Sequence, residues 1–267
     1  MSDQAPPQSY TLNTTLRVGK HELALNIEVA DAPGDSRELI PIARKLAALS
    51  QDLGVQDAEQ AGRQVSCRAG CGACCRQLVA ISLAEARHLL QTITTLPEAR
   101  QAAIAARFSA IRAGTDAAGM THEIINPDLS SMAQVNALGL RYFALGMACP
   151  FLVDESCSIY EERPLICREF LVSSDPKHCN APSPETIVRI GVPLRTARAL
   201  SQVDTKPNQS PLVALSLLPT VMAAFPAPAD AEPVPELMHR FFEKLTQQAL
   251  PSSADNQANP ASMALNG

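Results

Sequence analysis

The stretch VSCRAGCGACCR, residues 65–76, sets four thiols, Cys67, Cys71, Cys74 and Cys75, within nine residues. Gly70 and Gly72 let the backbone fold back on itself there, so that several sulfurs can converge. Converging thiolates select a soft cation, which makes zinc or an iron-sulfur cluster the physical candidates and excludes magnesium and calcium. The side chains of vicinal cysteines diverge in most backbone conformations. One of Cys74 and Cys75 is therefore expected to serve as a ligand while the other does something else.

Outward from that stretch, a second group reads Cys149-Pro-Phe-Leu-Val-Asp-Glu-Ser-Cys157-Ser-Ile-Tyr160. Two short extended runs around Asp154-Glu155-Ser156 predict a small hairpin. Glu161 to Phe170 then reads as a short helix with Pro164 in its first turn, carrying Cys167 and Arg168. The simplest site closes Cys67, Cys71 and one of the vicinal pair with Cys149, Cys157 or Cys167. Eight sulfurs also suffice for two four-thiolate sites, and the sequence leaves both arrangements open. Cys179, twelve residues beyond Cys167 across a polar loop, is the least secure member and reads equally as a free thiol. His178 beside it is a surface residue before it is a nitrogen ligand. Arg163 and Arg168, and with less force Arg68 and Arg76, are placed to offset thiolate charge from just outside the site. Phe151, Tyr160 and Phe170 read as core that shields it.

The flanks are mostly helical. Alternation from Tyr10 to Ala30 around Gly19-Lys20 predicts a β-hairpin. Leu39 to Leu49 recur at helical spacing, with the helix starting near Pro41 and ending at Gly54. Ser82 and Glu85 form a capping-box pattern for a helix to about Thr95, and Pro97 opens another that should end before Gly114. Asp128 or Ser130 is expected to cap a helix from Met132 towards Gly146. Further helices are expected at Pro193 to Val203, Pro211 to Phe225 and Pro235 to Ala249. The predicted class is mostly α with minor β. The expected organisation is an N-terminal extension at 1–62, a cysteine-cluster metal-binding domain at 63–182, a C-terminal helical segment at 183–250 and a disordered tail at 251–267.

The whole-chain properties narrow the function. With 267 residues, 46% of them hydrophobic, the chain can bury a sizeable core. A formal net charge of −5 without a lysine or arginine block argues against nucleic acid as a partner. The longest apolar run, Leu212 to Ala224, is broken by Ser216 and Pro219 and is shorter than the roughly 18 to 20 residues of a bilayer span, so no membrane span is expected. MSDQAPPQSY shows no secretory pattern, and the expected compartment is the cytoplasm, where thiols persist.

Cys67-x3-Cys71-x2-Cys74-Cys75, followed by Cys149-Pro-Phe-Leu, Cys157-Ser-Ile-Tyr160 and Arg163-Pro164-Leu-Ile-Cys167-Arg168, resembles the bacterial YkgJ-like family of zinc- or iron-chelating proteins. The likeness spans about Val65 to Phe170. It implies a metal or cluster partner but no particular reaction. One branch of that family resembles flagellin lysine N-methylases, which implies a metal-dependent methylase as a second reading. The same spacing is partly similar to the radical S-adenosylmethionine signature, but successive helices replace the repeating β/α barrel such enzymes use. The sequence thus leads to an iron-sulfur protein, with a 4Fe-4S cluster ahead of zinc, in a structural, electron-transfer or sensing role. A zinc-stabilised module for a protein partner is the remaining alternative.

Overall fold

The computed structural model describes residues 9–128, 130–183, 185–204, 212–225 and 231–246. Strands β1 (Ser9–Val18) and β2 (His21–Ala30) form the N-terminal hairpin, paired from Ser9 with Ala30 to Val18 with His21. Gly19 turns it at φ +61, a conformation that costs glycine little. β3 (Pro33–Gly34) leads into a 3-10 turn at Ser36–Leu39 and then helix α1, Ile40–Gln60, with Pro41 in its first turn. The helix runs past Gly54 instead of ending there. A Cβ on that residue would lie 2.7 Å from the Gly191 carbonyl oxygen, so the glycine marks a close backbone approach and not a terminus.

After the first cysteine group come β4 (Ala80–Ser82) and α2 (Leu83–Thr95), with the Ser82–Glu85 capping box formed as expected. Helix α3 (Glu98–Ala117) passes Gly114, where a Cβ would stand 2.6 Å from the Met147 sulfur; again a contact, not an end, explains the glycine. A short α4 (Thr121–Ile125) follows that periodicity did not indicate. The cap of α5 (Met132–Ala144) is Ser131, whose side chain accepts from the Gln134 N–H, and not Asp128 or Ser130. Asp128 instead accepts from the backbone N–H and hydroxyl of Ser130.

β5 (Leu152–Val153) and β6 (Ser156–Cys157) make the predicted second hairpin, with Asp154 and Glu155 both at positive φ. A 3-10 turn at Tyr160–Glu162 and Pro164 introduce α6, Leu165–Glu169. β7 (Leu171–Val172) pairs with β8 (Arg189–Ile190), and α7 spans Thr196–Val203. The helix expected at Pro211 to Phe225 is overturned over its first half. Leu212–Ala214 is strand β9, antiparallel to β4, followed by a 3-10 turn and the short α8, Leu218–Met222. An apolar run with no polar face suits a buried strand as well as a helix, and Pro219 delays the helix to its own first turn. β10 (Glu232–Pro233) pairs with β3, and α9 covers Val234–Thr246. Pro211, the stretch to Ala249 and the tail from Pro251 lie outside the described residues.

The fold is mostly helical with minor β. One hydrophobic core takes residues from Leu16 in β1 to Leu245 in α9, with α7 against α9 and α1 against α6. Among the described residues no helix is long and apolar enough to cross a membrane.

Candidate metal centre

The first cysteine turn begins as a strap beside β7. Ser66 donates its N–H to the Val172 carbonyl at 2.8 Å, and Val172 returns its own N–H to the Cys67 sulfur at 3.4 Å. Gly70, at φ +80, reverses the chain, and a 3-10 turn at Ala73–Arg76 carries Cys74 and Cys75. Gly72 meets the second hairpin so closely that a Cβ would lie 2.8 Å from both the Glu155 carbonyl oxygen and Leu152 Cδ1. Arg76 fastens the same contact, donating to the Gly72 carbonyl at 3.1 Å and to both Glu155 carboxylate oxygens at 3.1 and 2.6 Å.

The second group is brought up by the backbone as well. Cys149 donates its N–H to the Cys75 carbonyl at 2.7 Å, and Cys157 pairs with Leu152 in the hairpin. Cys167 sits on α6, whose first N–H, that of Leu165, donates to the buried Glu85 carboxylate at 2.7 Å. At its other end Glu169 accepts from the Thr196 hydroxyl at 2.6 Å and the Ala197 N–H at 2.8 Å. Glu169 was not singled out from the sequence, and Glu85 only as the acidic member of a capping box. Cys179 is buried in a 3-10 turn, Pro176–Asn180, that rests against the Ala73–Arg76 turn.

Burial is the largest influence on five of the thiols. It raises Cys67, Cys157 and Cys167, and lifts Cys149 to about 12 and Cys179 to about 11. Cys74 is also raised, first by the adjoining Cys75 thiol and then by burial. Arg163 opposes these shifts at Cys67, Cys74, Cys157 and Cys167. Its guanidinium lies 4.8 Å from the Tyr160 ring centroid, and its Nε is buried without a hydrogen-bond partner among the described residues. Arg168 acts differently. It donates to the carbonyls of Tyr160, Glu161 and Arg163, holding the turn before α6, and opposes part of the rise at Cys157.

Cys74 is electrostatically coupled to Cys67, Cys75, Cys149, Cys157, Cys167 and Cys179, so both segments meet at this residue. Among the described residues, no three His, Cys, Asp or Glu side chains are already closed into a metal-ligating group. The chemistry of the thiols suits a soft metal, because ligation releases the protons that burial holds on the sulfurs and returns their charge to a cation. Phe151 and Phe170 are buried as expected of a shielding core, but Tyr160 is 46% exposed. It fails as core because its ring carries the Arg163 cation at the surface. Arg68 is exposed, and His178 lies beside Asp175.

A mostly helical scaffold gathering eight free cysteines from two chain segments defines a thiolate metal-chelating domain. Residues 66–184, a little under half of the chain and inclusive of every cysteine, match the family model CxxCxxCC, described as "Putative zinc- or iron-chelating domain". That segment is similar to the cysteine-cluster domains that this model describes. No curated protein and no solved structure matches the chain.

Proposed function

We propose that the domain holds an iron-sulfur cluster of the 4Fe-4S type, in a structural, electron-transfer or sensing role, with zinc as the alternative occupant. The observation that carries this reading is the direct joining of the two cysteine segments: the Cys149 N–H donates to the Cys75 carbonyl at 2.7 Å, and the turn of Cys179 rests on the turn of Cys74 and Cys75. The site's four donors are drawn from Cys67, Cys71, Cys149, Cys157 and Cys167, with Cys74 or Cys75. When bound, a cluster would supply one-electron chemistry, and zinc a redox-inert crosslink.

The chain's own residues do the rest. The Val172 N–H at the Cys67 sulfur stabilises a thiolate there and tunes it. Arg163 offsets part of the thiolate charge, Arg168 holds the turn that presents Cys167, and Phe151 and Phe170 exclude water on the core side. Free thiols in this number suit a reducing compartment such as the cytoplasm. The zinc reading rests on the family description, which names zinc beside iron, and leads to a protein partner. The lysine-methylating reading gains no residue from this site.

Anaerobic purification followed by a visible spectrum and assays of iron, acid-labile sulfide and zinc tests the proposal. A brown protein with matched iron and sulfide is expected; a colourless protein with stoichiometric zinc would replace the cluster by zinc. Cys71→Ala and Cys167→Ala should each lower metal content, and unchanged content in both variants defeats a site built from two segments.

A further inference from the structure

We propose that the eight thiols are two four-thiolate halves, Cys67, Cys71, Cys74 and Cys179 in one and Cys75, Cys149, Cys157 and Cys167 in the other, giving each chain two metal centres. This rests on the metal-binding reading above and adds the number of centres and a ligand role for Cys179.

The division follows the packing. Cys67, Cys74 and Cys179 lie against one small apolar cluster made by Phe170, Val172 and Ile187. Cys149, Cys157 and Cys167 lie instead against the main core. A metal that binds thiolates at about 2.3 Å needs its sulfurs around one point, so thiols seated on different apolar surfaces suit different shells. The turn bearing Cys179 rests on the turn bearing Cys74. Cys179 is coupled to Cys67, Cys74 and Cys71, while Cys167 is coupled to Cys149, Cys157 and Cys74.

The vicinal pair stands at the seam. Adjacent cysteines strain a single shell but can serve two shells, one each. Cys74 shares the small cluster with Cys67 and Cys179, and the Cys75 carbonyl is bonded to the Cys149 N–H at 2.7 Å, which sets the Cys75 main chain beside the second half and leaves its thiol as the fourth donor there. Each half then has four thiolates, the number that both a tetrahedral zinc ion and a cubane cluster take. Arg163 also fits a seam position, because its charge acts on Cys67 and Cys74 in one half and on Cys157 and Cys167 in the other. Cys179 closes the first half without a histidine, and its burial in an otherwise polar loop is accounted for.

Metal and sulfide are measured on the full-length protein as isolated without oxygen. Two centres predict about two zinc ions, or about eight irons with eight sulfides, per chain. Cys179→Ser and Cys157→Ser should each remove about half of the metal, and the double variant nearly all of it. About one zinc or four irons in the parent protein, full content in Cys179→Ser, or complete loss in either folded single variant overturns the two-centre proposal alone. A parent protein that takes up neither metal nor sulfide on anaerobic reconstitution defeats the metal-binding reading itself. Maleimide labelling of the parent protein before and after chelation needs no variant. Eight protected thiols support two centres, and four protected thiols refute them.

Discussion

The turn carrying Cys71 is fixed to the second hairpin by a glycine contact and the half-exposed Arg76–Glu155 pair, whereas the helix carrying Cys167 hangs on two carboxylates with almost no exposure. Glu85 is 4% exposed and Glu169 2%, and between them they hold both ends of a five-residue helix too short to be stable alone. One side of the site is thus set by the buried interior and the other is tacked on at the surface. The interior side should keep its shape without metal, while the surface side should depend on metal for much of its order.

The sharpest way to break this contrast is Glu85→Ala. The change strands the Leu165 N–H and the Ser82 N–H and hydroxyl in a buried place, and should cost about 3 kcal/mol. Urea unfolding of the metal-free protein reads it, and a loss under about 1 kcal/mol would mean that Glu85 does not anchor the helix.

Glu169 gives a pH dependence. Desolvation by burial, partly opposed by the bonds from Thr196 and Ala197, raises its pKa from 4.5 to about 7. The folded state therefore holds this proton more tightly than the unfolded chain. The resulting stabilisation is complete below about pH 4.5 and is lost as pH rises through about 7, a change of about 3 kcal/mol. Glu169→Gln should remove that fall. Parallel stability curves for parent and variant across this range would show that Glu169 does not titrate as described.

On the surface side the effects are smaller. Gly72→Ala forces a methyl group against the Glu155 carbonyl and Leu152, and should cost about 1 to 3 kcal/mol, together with reduced metal uptake as the first turn is pushed off the hairpin. Arg76→Ala should cost under about 1 kcal/mol in the metal-free protein, because the ion pair it breaks is partly exposed. If Arg76→Ala proved as damaging as Glu85→Ala, the distinction between the two sides would fall.

Local chemistry was legible wherever it was sufficient. The N-terminal hairpin, the Ser82–Glu85 capping box and the hairpin at Asp154-Glu155 stand where alternation, capping and turn residues placed them, whereas the helix expected from Glu161 with Pro164 in its first turn begins only at Leu165, with Pro164 as its cap. Gly54 and Gly114 misled because a glycine can be needed by a neighbour as readily as by a turn, and the neighbours, Gly191 and Met147, are distant in sequence. Leu212–Ala214 misled because an apolar run states that it is buried, not by which partner; its pairing with Ala80–Ser82 made it a strand. Tyr160 was read as core from its aromatic ring, yet a cation over that ring holds it at the surface.

The sequence by itself pointed to a zinc- or iron-chelating domain, because four cysteines within nine residues and a second set beside Arg163 offer the soft donors that such a metal selects. It also determined the helical class, since capping and periodicity act over a few residues. Only the tertiary structure decided that Cys179 lies with Cys67 and Cys74, and that Cys167 is positioned by Glu85 and Glu169. Those contacts join residues up to about a hundred positions apart, and their geometry is fixed by close packing of the core, which no local pattern records.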